Sequence, residues 1–177
     1  MGYREDLLSG RVAFAHLIKV WHERNGWSHR VLPALAEALD LGRVHNSQLS
    51  MLRNGKLAAP GPEVFLALGR INQLLAAEVR AGSVGDGLRR RLASQPELIA
   101  ALEASAQPVR DEGSPVLGPG DLMEVFVGLR LPPAAFDLRI ADGEAGCLSA
   151  ALAMVFTLGR LGQSYNIGGR NERTNLA

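Results

Sequence analysis

The residues best equipped for chemistry in this chain run from His45 to Lys56: His-Asn-Ser-Gln-Leu-Ser-Met-Leu-Arg-Asn-Gly-Lys. Wound as a helix, the string turns Leu49 and Leu52 inward. It leaves Asn46, Ser47, Ser50, Met51 and Asn54 on one outward face with helical spacing. That face holds short polar side chains and almost no apolar bulk, and Arg53, Asn54 and Lys56 tip it with donors and positive charge. Such a surface suits the edges of bases in a DNA groove. Asn pairs with adenine, Ser serves several edges, and Met meets a thymine methyl. Asn46, Ser47, Ser50 and Met51 are therefore the expected base-reading residues.

The elements around this string must hold it in place. An amphipathic helix is predicted from about Asp6 or Gly10 to Arg24, with Phe14, Leu17, Ile18 and Trp21 as its buried stripe and Asn25-Gly26 as its stop. Ser28 is the expected N-cap of the next helix, whose inner face is Val31, Leu32, Leu35 and Leu39. Asp40 to Arg43 reads as the turn before the outward-facing helix. Pro62 and Glu63 then open a further helix with Val64, Leu68, Ile71 and Leu75 buried. Trp21 is expected in the core and Trp27 as a cap on the helix pair.

No catalytic constellation stands out, and the chain is not expected to be an enzyme. His22 and His29 have no carboxylate pair or cysteine at ligand spacing, so they read as surface or helix-end residues, and no metal is expected. Ser9-Gly10 and Gly82-Ser83 follow no apolar strand and are not nucleophile elbows. Gly118-Pro119-Gly120 lacks the Lys-Ser/Thr of a phosphate loop, and no cofactor is implied. The single cysteine, Cys147, lies in an apolar segment and reads as an inert buried thiol. The first residues carry no apolar run of signal-peptide type. The longest uncharged apolar stretch, Ala145 to Gly159, falls short of the ~20 residues of a membrane span. The expected location is the cytoplasm, with no membrane partner.

The chain has 177 residues, 47% of them hydrophobic and only 5% aromatic, so its core must be built from Leu, Ala and Val. Few β-branched residues and many Ala and Leu predict an all-α fold. Net charge is +1 overall, but residues 1–56 hold eight positive against five negative charges, and all four histidines. A modestly basic first third is compatible with phosphate contacts.

Residues Val12 to Leu75 resemble the Cro/repressor-type (XRE-type) helix-turn-helix family. The matching residues are Leu35-Ala36-Glu37-Ala38-Leu39, then Ser47-Gln48-Leu49-Ser50-Met51-Leu52-Arg53-Asn54-Gly55-Lys56, then Pro62-Glu63-Val64-Phe65-Leu66-Ala67-Leu68. The resemblance implies a sequence-specific regulator of transcription that reads base edges with Asn46 to Leu52 and clamps phosphate with Asn54 and Lys56. Gln48, at the edge of the stripe, and Arg53 join the phosphate set. The link from Asp40 to Asn46 is longer than the tight turn usual in that family, and places Arg43 and His45 beside the backbone. The same long turn leaves a second reading open, in which the scaffold has lost DNA and binds a protein, such as one of the transcription machinery.

The expected organisation is a helix-turn-helix bundle of four to five helices over residues 1–81. Short helices and a Pro/Gly-rich linker follow over 82–120, with a flexible joint at Gly82 to Gly87, a solvated basic cluster at Arg89-Arg90-Arg91, and a boundary in Gln107 to Gly120. A smaller helical unit over 121–162 begins with Leu122, Val125, Phe126 and Leu129 at helical spacing, and a polar tail covers 163–177. Ala145 to Leu161, apolar around most of its circumference, is the expected homodimer interface.

Overall fold

The computed structural model describes residues 2–56, 60–80, 82–110 and 113–138. The chain divides into two units after Leu138, and the described residues all lie in the first. The expected dimer helix Ala145 to Leu161, Cys147 within it, and the tail 163–177 lie outside the described residues.

Helix α1 (Tyr3–Asn25) starts earlier than its apolar stripe requires, because Glu5 reaches back to the amide of Gly2 and extends it by a turn. Gly26 ends it in the left-handed conformation (φ +62°), with Gly26 and Trp27 donating to the carbonyls of Glu23 and His22. Phe14, Leu17, Ile18 and Trp21 are fully buried. Three helices follow: α2 (Val31–Ala38), α3 (Asn46–Arg53) and α4 (Pro62–Glu78), the last with Pro62 in its first turn. Ser28 does not cap α2. Arg30 occupies the cap position, and the Ser28 hydroxyl accepts only the nearby Arg30 amide, at 3.4 Å.

Among the described residues the fold is all-α apart from one short hairpin, β1 (Val79–Arg80) paired antiparallel with β2 (Ser83–Val84). The expected flexible joint is thus this hairpin and the helix it leads into, α5 (Asp86–Arg91). Glu78 ties them together. Its carbonyl accepts the Gly85 amide at 2.7 Å, and its carboxylate accepts the Leu88 amide at 2.8 Å. Helix α6 (Pro96–Ala104), helix α7 (Pro119–Val127) and a 3-10 turn, Ala134–Phe136, complete the described elements.

The expected boundaries near 82 and 121 do not separate cores. Val84, Leu88, Leu98, Val109, Leu117, Leu122 and Phe136 belong to the same buried cluster as Phe14 and Leu49. Helix α7 lies against α1 and α4. Its approach to α1 is close enough that a Cβ on Gly10 would stand 2.6 Å from the carbonyl oxygen of Phe126. Phe14, Phe65 and Phe126 meet at centroid separations of 5.4–5.7 Å and join the three helices through one ring cluster. Leu129, expected on the inner stripe of α7, falls beyond the left-handed cap at Gly128 and is 80% exposed.

The segment from Gln107 to Gly118 is a strapped loop, although its prolines and glycines read as a linker. Asn72 is completely buried on α4. It donates to the carbonyls of Val109 and Leu117, both at 2.9 Å, and accepts the Val109 amide at 2.7 Å. Asn25 does the same from α1, accepting the Gln107 amide at 2.6 Å and the Ser105 hydroxyl at 2.8 Å. Trp27 donates to the Ser105 carbonyl at 2.9 Å, so it anchors the end of α6 as well as the turn it follows.

Candidate functional site

Helix α3 rests on α1 through Leu49 and Leu52, both essentially inaccessible. Their burial fixes the rotation of the helix and sends the opposite face outward. Asn46, Ser47 and Met51 are exposed on that face, with Met51 41% accessible, and Ser50 and Gln48 are half-buried. The four expected base-reading residues therefore share one accessible helix surface.

The helix ends in a Schellman motif. Gly55 (φ +65°) donates to the Leu52 carbonyl at 2.9 Å, and Lys56 donates to the Met51 carbonyl at 2.8 Å. The left-handed glycine turns the chain and leaves the Lys56 side chain in solvent. Asn54 is less free, because its side-chain amide donates to the Ser50 carbonyl at 2.8 Å and one of its hydrogens is committed to the helix end. Arg53 is half-buried and lies close enough to His22 of α1 to act on it electrostatically.

At the other end of α3 the structure brings together residues that are distant on the sequence pattern. Arg30, Pro33, Ala34 and Glu37 of α2 and its cap face Arg43, Val44, His45 and Asn46 across an open depression of about 450 Å³. The first turn of α3 opens beside it, where helix N–H groups lack intrahelical acceptors and favour negative charge. His45 stands at the N-cap position without a side-chain cap bond, so its ring is available to the depression. Arg30, Arg43, Arg53 and Lys56 form no ion pair among the described residues, whereas Lys19, Arg89 and Arg130 pair with Glu23, Glu103 and Asp121. Glu37 is the one acidic residue lining the depression.

Two contributors escape a reading by spacing. Arg30 was hidden by the expectation of a Ser28 cap, which would have placed it inside the helix instead of at its mouth. Arg91 was hidden in a run of three arginines that the structure disperses. Arg89 pairs with Glu103, Arg90 donates to the Asp86 carbonyl, and Arg91 donates to the Leu39 carbonyl at 2.7 Å. Arg91 thereby holds the end of α2 where the turn toward α3 begins. That turn has seven residues, Leu39 to His45, with Asp40 (φ +53°) and Gly42 (φ +103°) in left-handed conformations and Val44 buried as its anchor.

His22, read from sequence as a surface or helix-end residue, is at the helix end but only 2% exposed. Its Nδ1 lies 2.8 Å from the Ile18 carbonyl, and its Nε2 has no hydrogen-bond partner among the described residues. Burial, the largest influence, pushes its pKa below the ordinary 6.5. The Ile18 hydrogen bond opposes this, and Arg53 and His29 push it further down. His29 is exposed in the turn after α1. Among the described residues no group of three or more His, Cys, Asp or Glu is placed to hold a metal, and no helix is long and apolar enough to cross a membrane.

Residues 4–128 match a family described as a domain of unknown function, DUF8644. The chain belongs to this family. The matched span begins in the first turn of α1 and ends at Gly128, the cap of α7, so the family unit includes the hairpin, α5, α6, the strapped loop and α7 along with the first four helices. The physical reason is the shared core, in which α7 covers α1 and α4. No curated protein and no solved structure matches the chain.

Proposed function

We propose that this protein is a sequence-specific DNA-binding regulator of transcription that reads the major groove with α3. The observation that carries the reading is the outward face of α3. Asn46, Ser47, Ser50 and Met51 lie between two ends that carry positive charge, Arg30 and Arg43 at one, with His45 between them and α3, and Arg53 and Lys56 at the other, and α3 itself has no acidic residue. A groove-reading helix needs that division, with base contacts along its length and phosphate contacts at its margins. Arg30 is added to the phosphate set because it lines the same depression as Arg43 and His45. A two-fold dimer on paired half-sites is the arrangement by which such a unit gains affinity.

The test is binding of the purified chain to random duplex, followed by selection of bound sequences from a random pool. A DNA reader shifts duplex at low salt, loses it steeply as salt rises, and enriches a motif. The seven-residue turn before α3 favours a second reading, a protein-interaction module with Met51 as an apolar contact. That module leaves duplex unshifted and co-purifies with a protein at constant stoichiometry.

A further inference from the structure

We propose that His22 is an acid-sensitive latch on α3: protonation of its buried ring, within electrostatic reach of Arg53, loosens the reading helix and weakens its hold on duplex. The second half rests on the DNA reading above; the first does not. A backbone carbonyl can only accept, so the 2.8 Å contact with Ile18 makes Nδ1 the protonated nitrogen. Nε2 is then a buried acceptor with no hydrogen-bond donor opposite it among the described residues. A second proton would go onto this nitrogen. It would create a buried cation whose new N–H finds no acceptor among the described residues, within electrostatic reach of Arg53 from α3 and His29 from the α1–α2 turn. On its own helix, Lys19 and Glu23 pair with each other on the exposed side. On α7, Asp121 is engaged by Arg130 and the Gly118 amide. The groups that act on His22 electrostatically both oppose the proton.

The sign follows from burial. The folded-state pKa is depressed below 6.5, so the stability supplied by the neutral ring is complete above 6.5 and is lost as pH falls from there through the folded value. Because Arg53 is the residue repelled, the loss is felt at the helix that carries the outward face.

The experiment compares the full chain with His22→Asn, which keeps a donor toward Ile18 as Asn25 does toward Trp21. Tm and duplex affinity are measured at about pH 7.5 and about pH 5.5, the range in which histidine titrates, and the His22 ring is followed by NMR in the unmodified chain. In the unmodified chain, acid should lower Tm and raise the apparent Kd by at least about fivefold, the low end of coupling through a two-state element. In His22→Asn the fall in Tm should shrink and acid should no longer weaken binding. Equal acid dependence in the two proteins overturns the latch. So does a His22 ring that titrates at or above 6.5, which decides the matter even if the variant does not fold. If the unmodified chain binds no duplex at either pH, the DNA reading fails, while the Tm comparison and the ring titration still decide the α1–α3 half.

Discussion

Asn72 and Asn46 are the same residue in opposite circumstances. Asn72 is completely buried, and its three hydrogen bonds strap a loop at Val109 and Leu117, 37 and 45 residues further along the chain. Asn46 is exposed at the head of α3, and its side chain has no hydrogen-bond partner among the described residues. Arginine repeats the contrast, since Arg91 is spent on the Leu39 carbonyl while Arg43 and Arg30 face an open depression. The comparison teaches that polar residues in this fold fall into two sets. One set substitutes for secondary structure between helices, and the other is left over for a partner.

The sharpest way to break this comparison is Asn72→Leu. It strands the Val109 amide and two carbonyls in the core, at about 1–3 kcal/mol for each buried group left unsatisfied. The expected loss of stability is roughly 3 kcal/mol or more, read from urea denaturation. The folded fraction should retain any duplex affinity. An affinity loss greater than the loss of folded protein would show that the two sets are not separate.

Substitutions on α3 should behave in reverse. Ser47→Ala and Met51→Ala are expected to leave Tm nearly unchanged and to alter sequence preference at one or two positions, by about 1–3 kcal/mol each. If the enriched motif is identical in both variants and the parent, the outward stripe is not a reading surface. Arg91→Ala is a smaller perturbation. It removes one charge-assisted hydrogen bond to a helix end, worth about 1 kcal/mol for a partly exposed group, and should loosen the turn before α3. Amide exchange at Leu41 to Val44 should quicken, and unchanged protection there would remove Arg91 from the set that positions the site. The smallest effect is expected for Lys56→Ala. Affinity should fall alike for all sequences, and the salt slope should flatten by about one unit. Unequal loss across operator variants would reassign Lys56 from phosphate to base contact.

Much of this fold is written in short-range pattern. The stripes Phe14-Leu17-Ile18-Trp21 and Val64-Leu68-Ile71-Leu75 are buried as their spacing requires, Gly26 and Gly55 end helices in left-handed conformations, and Pro62 opens α4. The inward turn of Leu49 and Leu52, and with it the outward face of Asn46, Ser47 and Met51, was legible for the same reason. Two of the misread elements depended on distant partners. Gln107 to Gly118 has the composition of a linker, and its order comes from Asn25 and Asn72 on other helices. Leu122, Val125 and Phe126 have an ordinary helical stripe, and spacing alone does not say whether it closes the first core or begins another.

What the sequence determined by itself is therefore the identity and rotation of the main helices, because 3.6-residue periodicity and capping act over one or two turns of chain. The tertiary structure decided that the described residues share one core. It placed Arg30 beside Arg43, buried His22 with an unpaired nitrogen, and sorted the polar residues into spent and available. These outcomes depend on which surfaces meet across many residues of chain, and they are settled by packing and by the need to satisfy every buried polar group, neither of which local spacing encodes.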